Sequence, residues 1–178
     1  MADASGPNDA ERQREWGDWH AAAARPDIDA QMRALYADVD AAIAERGPTC
    51  WTSGKCCKFD SFGHRLYVTA LEVAWFLRQI DTGEPASAGD DAERGIRLPQ
   101  LAETSGACPY QIAGRCSTHA VRPLGCRIFF CQAGTEDWQQ DLYESFLTRL
   151  RVLHERHGVD YRYLDWIAGL EAAGASTS

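Results

Sequence analysis

The chain has 178 residues, 45% hydrophobic and 25% charged, with 18 Lys and Arg against 26 Asp and Glu for a net charge of −8. A chain of this size builds its own core as one domain, so it needs neither metal nor disulfides merely to fold. The acidic balance, with no basic run, excludes nucleic acid as the main partner, and no apolar run is long enough to span a bilayer.

Residues 1–8 are small, polar and rich in turn formers, which predicts a disordered start. This stretch lacks the basic and apolar regions of a secretory signal, so the expected compartment is the cytoplasm. Residues 9–24 have weak helical character around Trp16, Trp19 and a run of alanines, broken at Arg25-Pro26-Asp27. In the next helix Ile28, Met32, Leu35, Tyr36, Val39 and Ile43 recur three and four residues apart, and Gly47-Pro48 stops it. The chain then arrives at Cys50.

Beyond Cys57, residues 58–68 carry at most a short strand or two. Thr69-Ala-Leu-Glu72 is a capping box and opens a helix near 70–80. Residues 81–107 show no period and are expected to form a long surface loop, with one helical turn near Leu98 to Glu103. Thr135, followed by Glu136 and Asp137, starts a helix with the stripe Trp138, Leu142, Phe146, Leu150 and Leu153, ending near Gly158. Asp160 is expected to start a last helix through Tyr163, Trp166 and Leu170. Residues 173–178 are expected to fray. The fold class is therefore mainly α, helix-rich α+β at most. It is one domain over 9–172, with an irregular, cysteine-lined centre over 50–131 between helices.

The chemistry concentrates in seven cysteines: Cys50, Cys56, Cys57, Cys108, Cys116, Cys126 and Cys131. They occupy two short stretches, and an odd count leaves one over in any fully paired disulfide scheme. In a reducing compartment such clustering points to metal or catalysis before disulfides. Thiolates bind zinc, copper(I) and iron in clusters. Zinc sites favour Cys-x2-Cys pairs, which this chain lacks, whereas iron–sulfur ligation tolerates irregular spacing. An iron–sulfur cluster or iron is therefore the first expectation for the cofactor, with zinc as the alternative. Incidental thiols, disulfides and a thiol redox sensor remain the competing readings. Arg122 and Arg127 are candidates to balance a thiolate centre or anchor an anion, with a structural carboxylate pair as the competing role for Arg122. His64 and His119 are the histidines nearest the motifs. Asp60 reads as a solvated loop acid, and the six tryptophans read as core.

The run Cys50-x-x-Ser53-Gly-Lys-Cys56-Cys57 resembles the Cys-x-x-Cys-x-x-Cys-Cys opening of the YkgJ-like cysteine-cluster family of zinc- or iron-chelating proteins. Cys108-Pro-Tyr, Cys116-Ser-Thr-His119, Arg122-Pro123 and Cys126-Arg127 are similar to that family's second half, in the same order. Ser53 replaces a family cysteine, His119 stands where tyrosine is common, and Cys131 is extra. The resemblance implies metal chelation. The expected ligands are Cys56, Cys108, Cys116 and Cys126 first, then Cys50 and Cys57, then Cys131. Two uses follow: a cluster-dependent modification or redox enzyme, or a zinc-stapled interaction or metal-handling module. A protein partner is not specified.

Overall fold

The computed structural model describes residues 9–50, 54–82 and 106–176. The expectations for residues 1–8, for the loop between 83 and 105 with its helical turn, and for 177–178 lie outside them.

The fold is mainly helical, as expected. Helix α1 spans Asp9–Ala23, α2 Pro26–Arg46, α3 Phe59–Phe62, α4 Ala70–Asp81, α5 Leu124–Ile128, α6 Glu136–His157 and α7 Trp166–Ser176. A single 3-10 turn covers Lys55–Cys57. The short strands β1 (Tyr67–Thr69) and β4 (Tyr163–Asp165) pair antiparallel, as do β2 (Gln111–Ile112) and β3 (Arg115–Cys116). Among the described residues no helix is long and apolar enough to cross a membrane.

Helix α1 is better anchored than its sequence suggests. Trp16 and Trp19 are buried against each other at 5.1 Å, and the Trp19 indole donates to the Asp160 carbonyl at 2.9 Å. The helix packs on α4 and α7, so tertiary burial holds it where its own periodicity is weak. Pro26 occupies the first turn of α2, where its missing N–H is no loss, and Gly47 ends that helix at φ 65°. The expected stripe Ile28, Met32, Leu35, Tyr36 and Val39 is buried.

The capping box on α4 forms as expected: the Glu72 amide donates to Thr69 Oγ1 at 3.2 Å, and the Thr69 amide donates to Glu72 Oε2 at 2.8 Å. Glu72 is itself buried and also accepts from the Tyr36 hydroxyl of α2 and the Leu124 amide of α5, each at 3.0 Å. One carboxylate thus joins α2, α4 and α5. Its burial raises its pKa above the usual range against the pull of these donors.

Two expected helix starts differ from the structure. Thr135 makes no side-chain cap on α6. Its hydroxyl donates to the Gln132 carbonyl and accepts from Gln139 Nε2, both at 2.6 Å, pinning the loop before the helix. The last helix begins at Trp166, not Asp160. Residues 163–165 are drawn into pairing with β1, and Asp165 Oδ1 then accepts from the Ile167 amide at 3.0 Å and the Ala168 amide at 3.1 Å. At its other end α7 runs through Ser176, and Ala173, placed by sequence in the frayed tail, is fully buried.

Candidate metal centre

The two cysteine stretches, fifty residues apart in sequence, are stitched together by backbone. The Cys108 amide donates to the Cys57 carbonyl at 2.7 Å, the Asp60 amide to the Gly106 carbonyl at 2.9 Å, and Gln111 Nε2 to the Gly54 carbonyl at 2.8 Å. Gly54 makes this approach possible. It sits at φ +67°, and a Cβ there would lie 2.4 Å from the Gly114 carbonyl oxygen. Any side chain would push the β2–β3 turn away from the 3-10 turn that carries Cys56 and Cys57.

Cys126 comes from the short helix α5, which two devices fix. Glu72 holds its first amide. Arg127, one residue on, donates to both Asp40 oxygens (3.0 and 2.8 Å) and to the Arg122 carbonyl at 2.8 Å, while its guanidinium lies 4.4 Å from the Tyr36 ring centre.

The result is convergence. Cys56, Cys57, Cys108, Cys116 and Cys126 line one cavity of about 20 Å³, together with Phe76, Thr118, Arg122, Pro123 and Trp166. The sulfurs of Cys56 and Cys57 are 3.9 Å apart, and Cys57 is within hydrogen-bonding reach of Cys108 and Cys116 as well. The Cys57 thiol pKa is raised by its contacts with these sulfurs, Cys108 first. The neighbouring sulfurs are pushed down by their contact with Cys57, Cys56 to about 7 and Cys116 to about 6, with Arg122 helping both. Cys108 is lowered chiefly by Cys57 and further by the Trp166 indole. Cys126 is raised, first by burial and then by the neighbouring sulfurs. Thr118 Oγ1 lies 3.7 Å from the Cys116 sulfur.

Arg122, in the wall of this cavity, has its Nε buried without a hydrogen-bond acceptor, and the Trp166 indole N–H, turned toward Cys108, makes no full hydrogen bond. Buried donors that go unmet are costly, and both suit a centre more negative than neutral thiols. Among the described residues, no group of three or more Cys, His, Asp or Glu side chains is arranged so that it could hold a metal ion as it stands. The sulfurs hydrogen-bond to one another instead.

The other candidates lie apart. Cys50 is exposed and outside the cavity. Cys131 lines a second, larger cavity, as does His64, whose ring stacks on Phe129 at 5.3 Å. His119 is exposed, its pKa lowered by partial burial and by Arg122 and Arg127. Of the two arginines, Arg122 faces the sulfurs, whereas Arg127 is committed to Asp40 and carbonyl oxygens and serves as a brace for α5. None of the seven cysteines forms a disulfide. Trp166 and Thr118 were not singled out from sequence. Trp166 reads there as one more apolar residue on a helix stripe, and only the long-range packing of α7 brings its N–H to Cys108.

No family model matches the chain, and neither a curated protein nor a solved structure is similar enough to report.

Proposed function

We propose that the chain binds a metal ion through the buried sulfurs, and that a single tetrahedral ion, zinc or iron, fits the site better than an iron–sulfur cluster. The observation that carries this is the gathering of five cysteine sulfurs around one small cavity that also holds two unmet donors. A zinc–sulfur bond of about 2.3 Å places two ligand sulfurs of a tetrahedron about 3.8 Å apart. The Cys56 and Cys57 sulfurs are 3.9 Å apart. A cavity near 20 Å³ suits one atom, whereas a cluster of several iron and sulfide atoms would require the side chains to swing outward. Cys57, Cys108, Cys116 and Cys56 are the favoured ligands, with Cys126 the fifth sulfur and Arg122 and Trp166 as outer donors.

When bound, the ion would neutralise thiolate charge and cross-link the 3-10 turn, the segment carrying Cys108 and the β2–β3 hairpin. Its binding free energy would then add to folding free energy, on the order of 10 kcal/mol for such sites. Elemental analysis and a visible spectrum on protein prepared without air test the reading. The expected result is one metal per chain without the brown colour of a sulfide cluster. Brown protein holding several irons and inorganic sulfide overturns the single-ion reading, and metal-free protein overturns both.

A further inference from the structure

A second cavity of about 550 Å³ adjoins the sulfur group, its wall formed by His64, Tyr67, Phe129, Tyr143, Tyr163 and three cysteines, Cys56, Cys126 and Cys131. Cys56 and Cys126 also line the inner cavity, so the two spaces share a wall of sulfur. Cys131 thus shares the outer cavity with Cys56 and Cys126, which in turn line the inner cavity with Cys57, Cys108 and Cys116. We propose, resting on the metal reading above, that the outer pocket is the route by which a soft divalent cation is exchanged with a small chelating molecule, and that Cys131 is the transfer ligand.

Three features carry this. A purely structural site covers every face with protein, yet two of these five cysteines also line a pocket of the size that takes a small organic molecule. Its volume far exceeds what a bare ion needs. Its walls include two stacked ring pairs, His64 with Phe129 at 5.3 Å and Tyr67 with Tyr163 at 5.5 Å, against which a flat chelator can lie. Cys131 is also held in place: the Phe130 amide donates to Gln139 Oε1 at 2.8 Å and Gln139 Nε2 donates to the Phe130 carbonyl at 3.1 Å, tying the preceding residue to α6. In each exchange between sulfurs one metal–sulfur bond forms as another breaks, the incoming thiol giving its proton to water and the departing thiolate taking one up; at the hand-off a metal–chelator bond replaces the last metal–sulfur bond, and no electron changes hands.

The test uses full-length protein loaded with zinc and mixed with excess 4-(2-pyridylazo)resorcinol, following the coloured zinc complex in time. Wild-type release is expected to accelerate in proportion to chelator concentration. Cys131→Ser is expected to slow release by about tenfold while zinc affinity stays within about twofold, because the transfer thiol is lost and the resident sulfurs are kept. Gln140→Trp, on the exposed face of α6 at the pocket, is expected to slow release likewise by filling the mouth. Unchanged rates in both variants overturn the route while leaving the metal site standing. A large loss of affinity in Cys131→Ser makes it a resident ligand and overturns the transfer role. A wild-type chain that takes up no zinc overturns the metal reading and this proposal together.

Discussion

Replacing Glu72 with alanine should be among the most damaging single changes in the described fold. The carboxylate accepts from the Tyr36 hydroxyl at 3.0 Å, the Leu124 amide at 3.0 Å, the Thr69 amide at 2.8 Å and the Thr69 hydroxyl at 3.2 Å. The Thr69 hydroxyl can still serve the helix amide, so three buried donors are orphaned. At about 1–3 kcal/mol each the gross loss is about 3–9 kcal/mol. Relief from burying a carboxylate offsets part of it, since burial already raises the Glu72 pKa. A net loss of about 3–5 kcal/mol is expected, a large share of a typical domain's stability. Urea unfolding of metal-free protein, followed by far-UV circular dichroism, reads this directly. Tyr36→Phe, which removes one donor and orphans none, should lose only about 1 kcal/mol. A loss below about 1 kcal/mol for Glu72→Ala would refute the reasoning that this carboxylate binds α2, α4 and α5 together.

Gly54→Ala should separate the two cysteine stretches, because its Cβ would collide with the Gly114 carbonyl; metal affinity, measured by titration with a competing chelator, is expected to fall more than apo stability, measured by urea unfolding. Trp166→Phe keeps the ring packing and removes the N–H that favours the Cys108 thiolate, so metal affinity should drop by about tenfold with an unchanged midpoint of apo unfolding. His154 is buried with its Nδ1 3.1 Å from the Val159 carbonyl and its Nε2 without a partner, and burial depresses its pKa below 6.5. The unfolded chain therefore takes up this proton first: the His154 contribution is intact above pH 6.5 and is lost as pH falls through the folded-state pKa. The slope from this residue is at most about 1.4 kcal/mol per pH unit, and His154→Gln should flatten the acid limb of the stability profile by that amount. His20, lowered by burial in the same way, leaves a residual slope.

The parts of the fold that could be read from sequence are those set by neighbours in the chain. The stripe from Ile28 to Val39 and the Thr69–Glu72 box depend on residues three or four apart, and both form as expected. What escaped depends on partners far along the chain. Asp160 and Asp165 are equally good caps locally, and only the β1–β4 pairing decides that Asp165 starts α7. Cysteine clustering foretold the gathering of sulfurs, but not that Cys57 would sit at its middle. Cys50 and Cys131 lie outside the inner cavity for reasons of loop path that spacing does not encode. Arg122 and Arg127 look alike in sequence, and Asp40, eighty-seven residues from Arg127, separates their roles.

X-ray absorption at the edge of the bound metal, on protein purified without air, addresses the central claim most directly. The account predicts one shell of about four sulfurs near 2.3 Å with no second metal nearby. A metal–metal distance in the spectrum, or a first shell dominated by oxygen or nitrogen, would contradict it.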